Sequence, residues 1–108
     1  MPKKTKKYED SLFESLRNSE EAAVYLNEAL TQIKERDGIA LFLLALRDVA
    51  IANGMTEIAN KIYRSRTSLY KSLSKNGDPK FATIVDLLLA LNLKAELKPI
   101  KSKSKKAA

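Results

Sequence analysis

Residues 56–74 read T-E-I-A-N-K-I-Y-R-S-R-T-S-L-Y-K-S-L-S, two short helical patterns separated by a tight turn. In the first, Thr56 is placed to cap a helix of under two turns whose Ile58, Ala59 and Ile62 face inward. Ser65 is an N-cap for the second, which the spacing predicts to run to about Ser74. At about 100° per residue, Leu69 and Leu73 share one face while Thr67, Lys71 and Ser74 lie opposite, with Arg66, Ser68 and Tyr70 on the flanks. Two leucines inward and a hydroxyl-rich, cationic side outward is the pattern of a helix-turn-helix. The second helix of such a unit is shaped to enter the major groove of DNA.

The residue types of that second helix suit the task. Arg66 and Lys71 can serve phosphates or the acceptor edge of guanine, and the hydroxyls of Ser65, Thr67 and Ser68 can donate to either. Amides at the helix start favour a phosphate, and Arg64 and Lys75 extend the cationic stretch at its two ends. Two bland readings stand beside this one. The polar face of an ordinary surface helix is merely wet, and Tyr70, on the boundary, packs its ring beside the core as readily as it meets a phosphate or a base.

Working outward, the chain reads as helical almost throughout. Asp10 or Ser11 caps a short first helix around Leu12, Phe13 and Leu16. Ser19 is placed as the next N-cap, with Glu20 and Glu21 in the first turn. Ala22, Tyr25, Leu26, Ala29, Leu30 and Ile33 then recur at helical spacing and predict a long amphipathic helix. Asp37 or Gly38 opens a third, rich in Ile39, Phe42, Leu43, Leu46, Val49 and Ala50, which Gly54 ends. Beyond the central pair, Asn76, Gly77, Asp78 and Pro79 make a turn, with Pro79 at the first position of a last core helix carrying Phe81, Ile84, Val85, Leu88 and Leu91, supplemented by Leu87 and Leu89. After Asn92 the period changes to two: Leu93, Ala95 and Leu97 alternate with Lys94, Glu96 and Lys98, which leaves room for a short strand before Pro99.

Composition removes most other classes. The 108 residues contain neither cysteine nor histidine, so disulfides, thiol nucleophiles, imidazole bases and nearly every structural zinc site drop out, and no metal or cofactor is expected. Gly38, Gly54 and Gly77 lie too far apart for a phosphate-cradling loop. Consecutive acids such as Glu20 and Glu21 do not converge on one point of a helix, so no catalytic residue is assigned. The longest apolar run, residues 39–46, is far short of the roughly 20 needed to span a bilayer, and the basic N-terminus leads into acids, not into a signal-peptide h-region. A cytoplasmic location is expected.

The net charge of +7 is unevenly spread. Residues 1–7 and 101–108 hold four lysines each and no acid, which marks them as basic tails around a single domain at 8–98, with 99–108 as the C-terminal tail. Within the body, residues 8–37 carry eight acids against three bases, or −5, whereas residues 55–80 carry six bases against two acids, or +4. The helix-turn-helix candidate is thus the cationic pole, able to hold several charges against phosphates at fixed spacing.

Several blocks carry a resemblance to a known family. Met55-Thr-Glu-Ile-Ala, Ser65-Arg-Thr-Ser-Leu-Tyr-Lys-Ser-Leu-Ser, the Asn76-Gly-Asp-Pro-Lys-Phe turn and Leu89-Ala-Leu-Asn-Leu resemble the addiction-module antidote proteins, as do Ala23-Val-Tyr-Leu-Asn-Glu-Ala-Leu and Leu43-Leu-Ala-Leu-Arg-Asp-Val-Ala upstream. The resemblance spans about residues 8–97. It implies an all-α, lambda-repressor-like helix-turn-helix bundle of five to six helices with an N-terminal helical extension. It further implies an antitoxin similar to the HigA group, with a RelE/ParE-type ribonuclease-fold toxin as partner and repression of its own operon. The chain departs from the family pattern A-x-x-x-G-L-S-R-x-S-L-Y-K at Tyr63, where glycine sits, and at Arg64, where an apolar residue follows. A left-handed non-glycine costs roughly 1–2 kcal/mol, so a looser turn is expected there, with Arg64 free to meet a phosphate.

These readings predict a homodimer presenting its Arg66 helices about 34 Å apart to a palindromic double-stranded DNA operator, with the lysine tails adding salt-sensitive attraction. The acidic face at Glu20, Glu21 and Glu28 is the expected toxin contact, since an RNA-cutting partner is expected to be basic; plain solvation of one helix explains the same acids. A solitary helix-turn-helix regulator without a toxin is the alternative that the chain does not separate from an antitoxin. Tail-mediated binding of RNA or an anionic membrane ranks below both, and catalysis last.

Overall fold

The computed structural model describes residues 6–100, with side chains from residue 8 onward; residues 1–5 and 101–108, the greater part of both expected tails, lie outside the described residues. Six helices follow one another among them: α1 (Lys6–Leu16), α2 (Ser19–Leu30), α3 (Gly38–Ala52), α4 (Met55–Lys61), α5 (Arg66–Ser72) and α6 (Phe81–Ala90). The all-α expectation holds. The first helix is longer than the sequence suggests, starting at Lys6 and not after Asp10 or Ser11.

α3 is the hub. It packs on α1, α2 and α4, while α4 carries α5 and α6. Leu16, Leu46, Val49, Leu69, Leu73 and Leu87 are the largest fully buried side chains. They come from α1, α3, α5 and its C-terminal turn, and α6, so one core ties the N-terminal helices to the helix-turn-helix. Two polar clasps reinforce the α1–α3 junction where α3 ends. Arg17 Nε donates to the Ala52 carbonyl at 3.2 Å, and Asn53 Nδ2 donates to the carbonyls of Leu16 and Val49 at 3.2 and 2.8 Å. The bonds to Ala52 and Leu16 reach carbonyls at helix ends, where the intrahelical ladder runs out, while the Val49 carbonyl also accepts the Asn53 amide at 3.1 Å.

Several boundaries differ from the sequence reading. Asn18, and not Ser19, caps α2, its Oδ1 accepting from Glu21 N at 3.0 Å. α2 ends at Leu30, before Ile33, because the Thr31 hydroxyl donates to the Glu28 carbonyl at 2.6 Å and residues 31–38 continue as three-residue turns. Those turns close on Asp37, in the left-handed region at φ 61°, and on Gly38, where a Cβ would strike the carbonyls of Gln32 and Ile33. Gly54 precedes α4 in place of a Thr56 cap, and Thr56 stands exposed in the first turn. Lys80 holds the N-cap position of α6 without a side-chain capping bond, leaving Pro79 two residues before the first helical residue, Phe81.

The last helix keeps part of its expected setting: Leu87 and Leu91 are buried and Ile84 and Leu88 pack against the core, while Phe81 and Leu89 do not. Thr83, Leu87 and Leu91 are its buried stripe, whereas Phe81 is 80% exposed and Leu89 also faces out. The apolar residues run nearly all round α6, so periodicity alone does not choose a face. After it, residues 93–98 form no strand among the described residues; instead they make one wall of a groove against Leu26, Leu30, Phe42 and Leu88.

Candidate nucleic-acid interface

The joint between α4 and α5 sets how α5 is presented. Tyr63 occupies the left-handed region at φ 60°, with its side chain 96% exposed. Its amide donates to the Asn60 carbonyl at 3.2 Å, and the Arg64 amide reaches back to the Ala59 carbonyl at 2.9 Å. These two bonds are a Schellman closure, normally built on glycine at the residue Tyr63 supplies. The turn is therefore tightly hydrogen-bonded, contrary to the looser joint expected. Ile62, buried at the C-cap of α4, provides the apolar plug that Arg64 does not, and Arg64 stands exposed beside it.

α5 then starts from a well-formed cap. Ser65 is extended, at φ −77° and ψ 152°, and its Oγ accepts from Ser68 N at 3.0 Å. That bond takes the Ser68 amide out of the set available to a phosphate, while the Ser65 hydroxyl proton remains free to donate. Leu69 and Leu73 are at 0% exposure and anchor the helix to the core. Arg66, Thr67, Ser68 and Lys71 are all exposed. Tyr70 is half-buried against the core, and the Arg66 guanidinium lies 5.5 Å from its ring centroid, one helical turn away. Ring and cation hold each other at the rim of the polar face, which narrows the freedom of Arg66 without removing its donors.

At the far end, Ser74 is not part of the free polar face. Its Oγ donates to the Lys71 carbonyl at 2.8 Å, closing the end of α5. Lys75 is exposed in the turn that follows. Gly77 allows that turn to fold back, since a Cβ there would collide with the carbonyls of Ser72 and Lys71. Arg64, Ser65, Arg66, Thr67, Ser68, Lys71 and Lys75 thus all border one exposed tract running from the turn along α5, with Tyr70 beneath its edge.

Glu20, Glu21 and Glu28 are exposed on α2, on the side away from buried Ala22 and Leu26. They form a separate acidic surface with exposed Val24 among them. No group of acidic residues among the described residues is arranged to hold a metal ion. No single helix among them is long and apolar enough to cross a membrane.

The family described as probable addiction module antidote protein matches residues 4–99. The chain belongs to that family. An uncharacterized protein of Haemophilus influenzae is similar to it, 44% identical over 84 residues that make up 78% of this chain and 82% of the relative. No solved structure matches. Membership places this antidote-family chain on the antitoxin side of a toxin–antitoxin pair. The match takes in α1 and the residues after α6 as well as α4 and α5.

One feature of the antidote core escaped sequence reasoning. Tyr25 Oη donates to Asp48 Oδ2 at 2.7 Å, joining α2 to α3, and burial together with that carboxylate pushes the phenol well above its ordinary range. Both residues stand on predicted helices, but pairing across 23 positions needs the packing of the two helices to be known.

Proposed function

We propose that this chain is a DNA-binding antitoxin that neutralises a RelE/ParE-type toxin by direct binding and represses its own operon. The observation that carries the DNA half is the orientation of α5: Leu69 and Leu73 fully buried, with Arg66, Thr67, Ser68 and Lys71 outward. A helix held in this way can lie in a major groove, with Arg66 and Lys71 reaching phosphates or guanine edges and the hydroxyls of Thr67 and Ser68 adding short-range donors. Arg64 and Lys75 border the same tract and supply phosphate contacts at its two ends. Two copies about 34 Å apart match successive turns of a palindromic operator.

The toxin half rests on membership in the antidote family together with the separate acidic surface at Glu20, Glu21 and Glu28. Two surfaces of opposite charge on one small domain let toxin and operator be held at once. Arg66 and Lys71 lie on α5, remote in sequence and charge from the acids of α2, so the two activities are separable by mutation. The test is co-expression with the neighbouring gene product, followed by affinity purification and a gel shift on the shared promoter. Capture of the neighbour and retardation of that promoter at nanomolar protein are expected. Promoter binding without any captured partner would reduce the protein to a solitary regulator, and capture without promoter binding would remove the repressor role.

A further inference from the structure

Residues 93–98, Leu93-Lys94-Ala95-Glu96-Leu97-Lys98, leave α6 without entering any element. Leu93 N donates to the Leu88 carbonyl at 2.8 Å and closes the helix; among the described residues, Lys94 to Lys98 make no main-chain hydrogen bond. Leu97 is 97% exposed. An alternating segment with open amides, an uncovered leucine and an apolar groove at its side is half of a pairing. The sequence says what the other half is.

A symmetric antiparallel pair of identical strands has its two-fold axis normal to the sheet, and directly opposed residues point to the same face. The axis must therefore pass midway between the two copies of one residue, which is paired with itself. If that residue is Lys94, Lys94 meets Lys94; if it is Glu96, Glu96 meets Glu96 and Lys94 meets Lys98. Centred on Ala95, the register opposes Lys94 with Glu96 and Glu96 with Lys94, and Leu93 with Leu97 on the other face. A register centred on Leu97 also opposes Glu96 with Lys98, but it sets Ala95 against Pro99 and leaves Leu93 and Lys94 without a matching partner. The Ala95 register alone matches every charged and apolar residue from Leu93 to Leu97, with the smallest side chain at the axis. The main chain agrees. Because the Leu93 amide already points at α6, the next amide of an extended chain points the opposite way, so Lys94 and Glu96 carry the open edge and exchange hydrogen bonds with a copy. Asn92, left-handed at φ 64°, and Pro99, lacking an amide, bound the segment on its two sides.

We infer that residues 93–97 pair antiparallel with the same segment of a second copy, centred on Ala95, and that this ribbon holds the dimer. A lone two-stranded ribbon is marginal in water. Here the second copy's Leu97 lands opposite Leu93 at the rim of the groove lined by Leu26, Leu30, Phe42 and Leu88, an open space of about 570 Å³. Filling it covers Leu30, half-exposed in the single chain, and joins the ribbon to the core.

The inference deepens the two-copy reading of operator binding, yet its test needs no DNA. Sedimentation equilibrium of the full-length protein measures the dimer constant of the wild type, of Lys94→Glu, of Glu96→Lys and of the double swap. Each single change places two like-charge pairs across the axis and is expected to weaken dimerisation about tenfold. The double swap restores opposite charges in both pairs and is expected to recover most of the loss, which a merely structural effect of either change would not do. A monomeric wild type, equal constants for all four proteins, or additive losses in the double swap would each overturn the pairing. Charge sensitivity that appears only in complex with the toxin would hand this edge to the toxin and overturn it equally. A monomer that still retards promoter DNA sinks the ribbon alone, whereas a charge-sensitive dimer that ignores DNA leaves the ribbon standing and sinks the operator reading.

Discussion

Tyr63 is the residue at which local strain and family pattern meet. It sits left-handed with its ring in solvent, so it holds a costly backbone setting and contributes almost no packing. Relieving roughly 1–2 kcal/mol of strain, less the entropy glycine loses on folding, Tyr63→Gly should stabilise the protein by about 0.5–1 kcal/mol in urea unfolding. Asn92, also left-handed at φ 64°, tolerates that setting better, and its glycine variant should gain less. Tyr25 gives a pH signature. Its phenol is pushed up chiefly by burial and then by Asp48, so the neutral form is favoured in the fold. The sign follows: below the ordinary tyrosine pKa of about 10 the contribution is fully present, and it is lost as pH rises beyond that. Tyr25→Phe removes the bond to Asp48 and should cost about 1 kcal/mol at neutral pH, with the difference from wild type shrinking above pH 10. Denaturation midpoints across pH 7–11 for the two proteins measure it. The turn at Tyr63 was visible in the sequence as a departure from pattern. Its outcome was not, because hydrogen bonds from Tyr63 and Arg64 back to α4 hold the strained residue in place.

Among the elements, α5 was the most legible and α6 the least. Ser65 caps, Leu69 and Leu73 bury and Lys71 faces out as the spacing predicts, because a short helix with only two apolar positions has one way to dock. α6 has apolar residues on most of its circumference, so burial was decided by where α4 leaves room, and the stripe fell on Thr83, Leu87 and Leu91 with Phe81 outside. α2 stopped short for a different reason: a hydroxyl at Thr31 competed for a helical carbonyl, a local bond that a count of apolar positions does not register. The end of α5 depends on Gly77. Alanine there drives a methyl into the carbonyls of Lys71 and Ser72 and must shift the last turn of the helix. Gly77→Ala should cost about 1–3 kcal/mol in thermal or urea unfolding, as overpacking does, and should also weaken promoter binding by displacing Lys71. Unchanged stability would mean that the turn has slack the structure does not indicate.

For the whole molecule, the division of charge is the organising fact: an acidic face on α2 and a cationic tract along α5, each exposed on one small domain. Reversal of Glu20, Glu21 and Glu28 to lysine should lower toxin affinity measured by calorimetry while leaving the fold intact, since all three are exposed; unchanged affinity would return that face to plain solvation. The cationic tract is the claim on which the functional account rests. Fluorescence anisotropy of labelled promoter DNA, titrated with wild type, Arg66→Ala and Lys71→Ala over a range of salt, measures it directly. Each alanine should weaken binding by about 1–3 kcal/mol where the side chain meets a base; where it meets a phosphate, the logarithmic salt slope should also fall by about one. Both variants binding the promoter as tightly as wild type, with the same salt slope, would contradict the assignment of α5 as the helix that reads DNA.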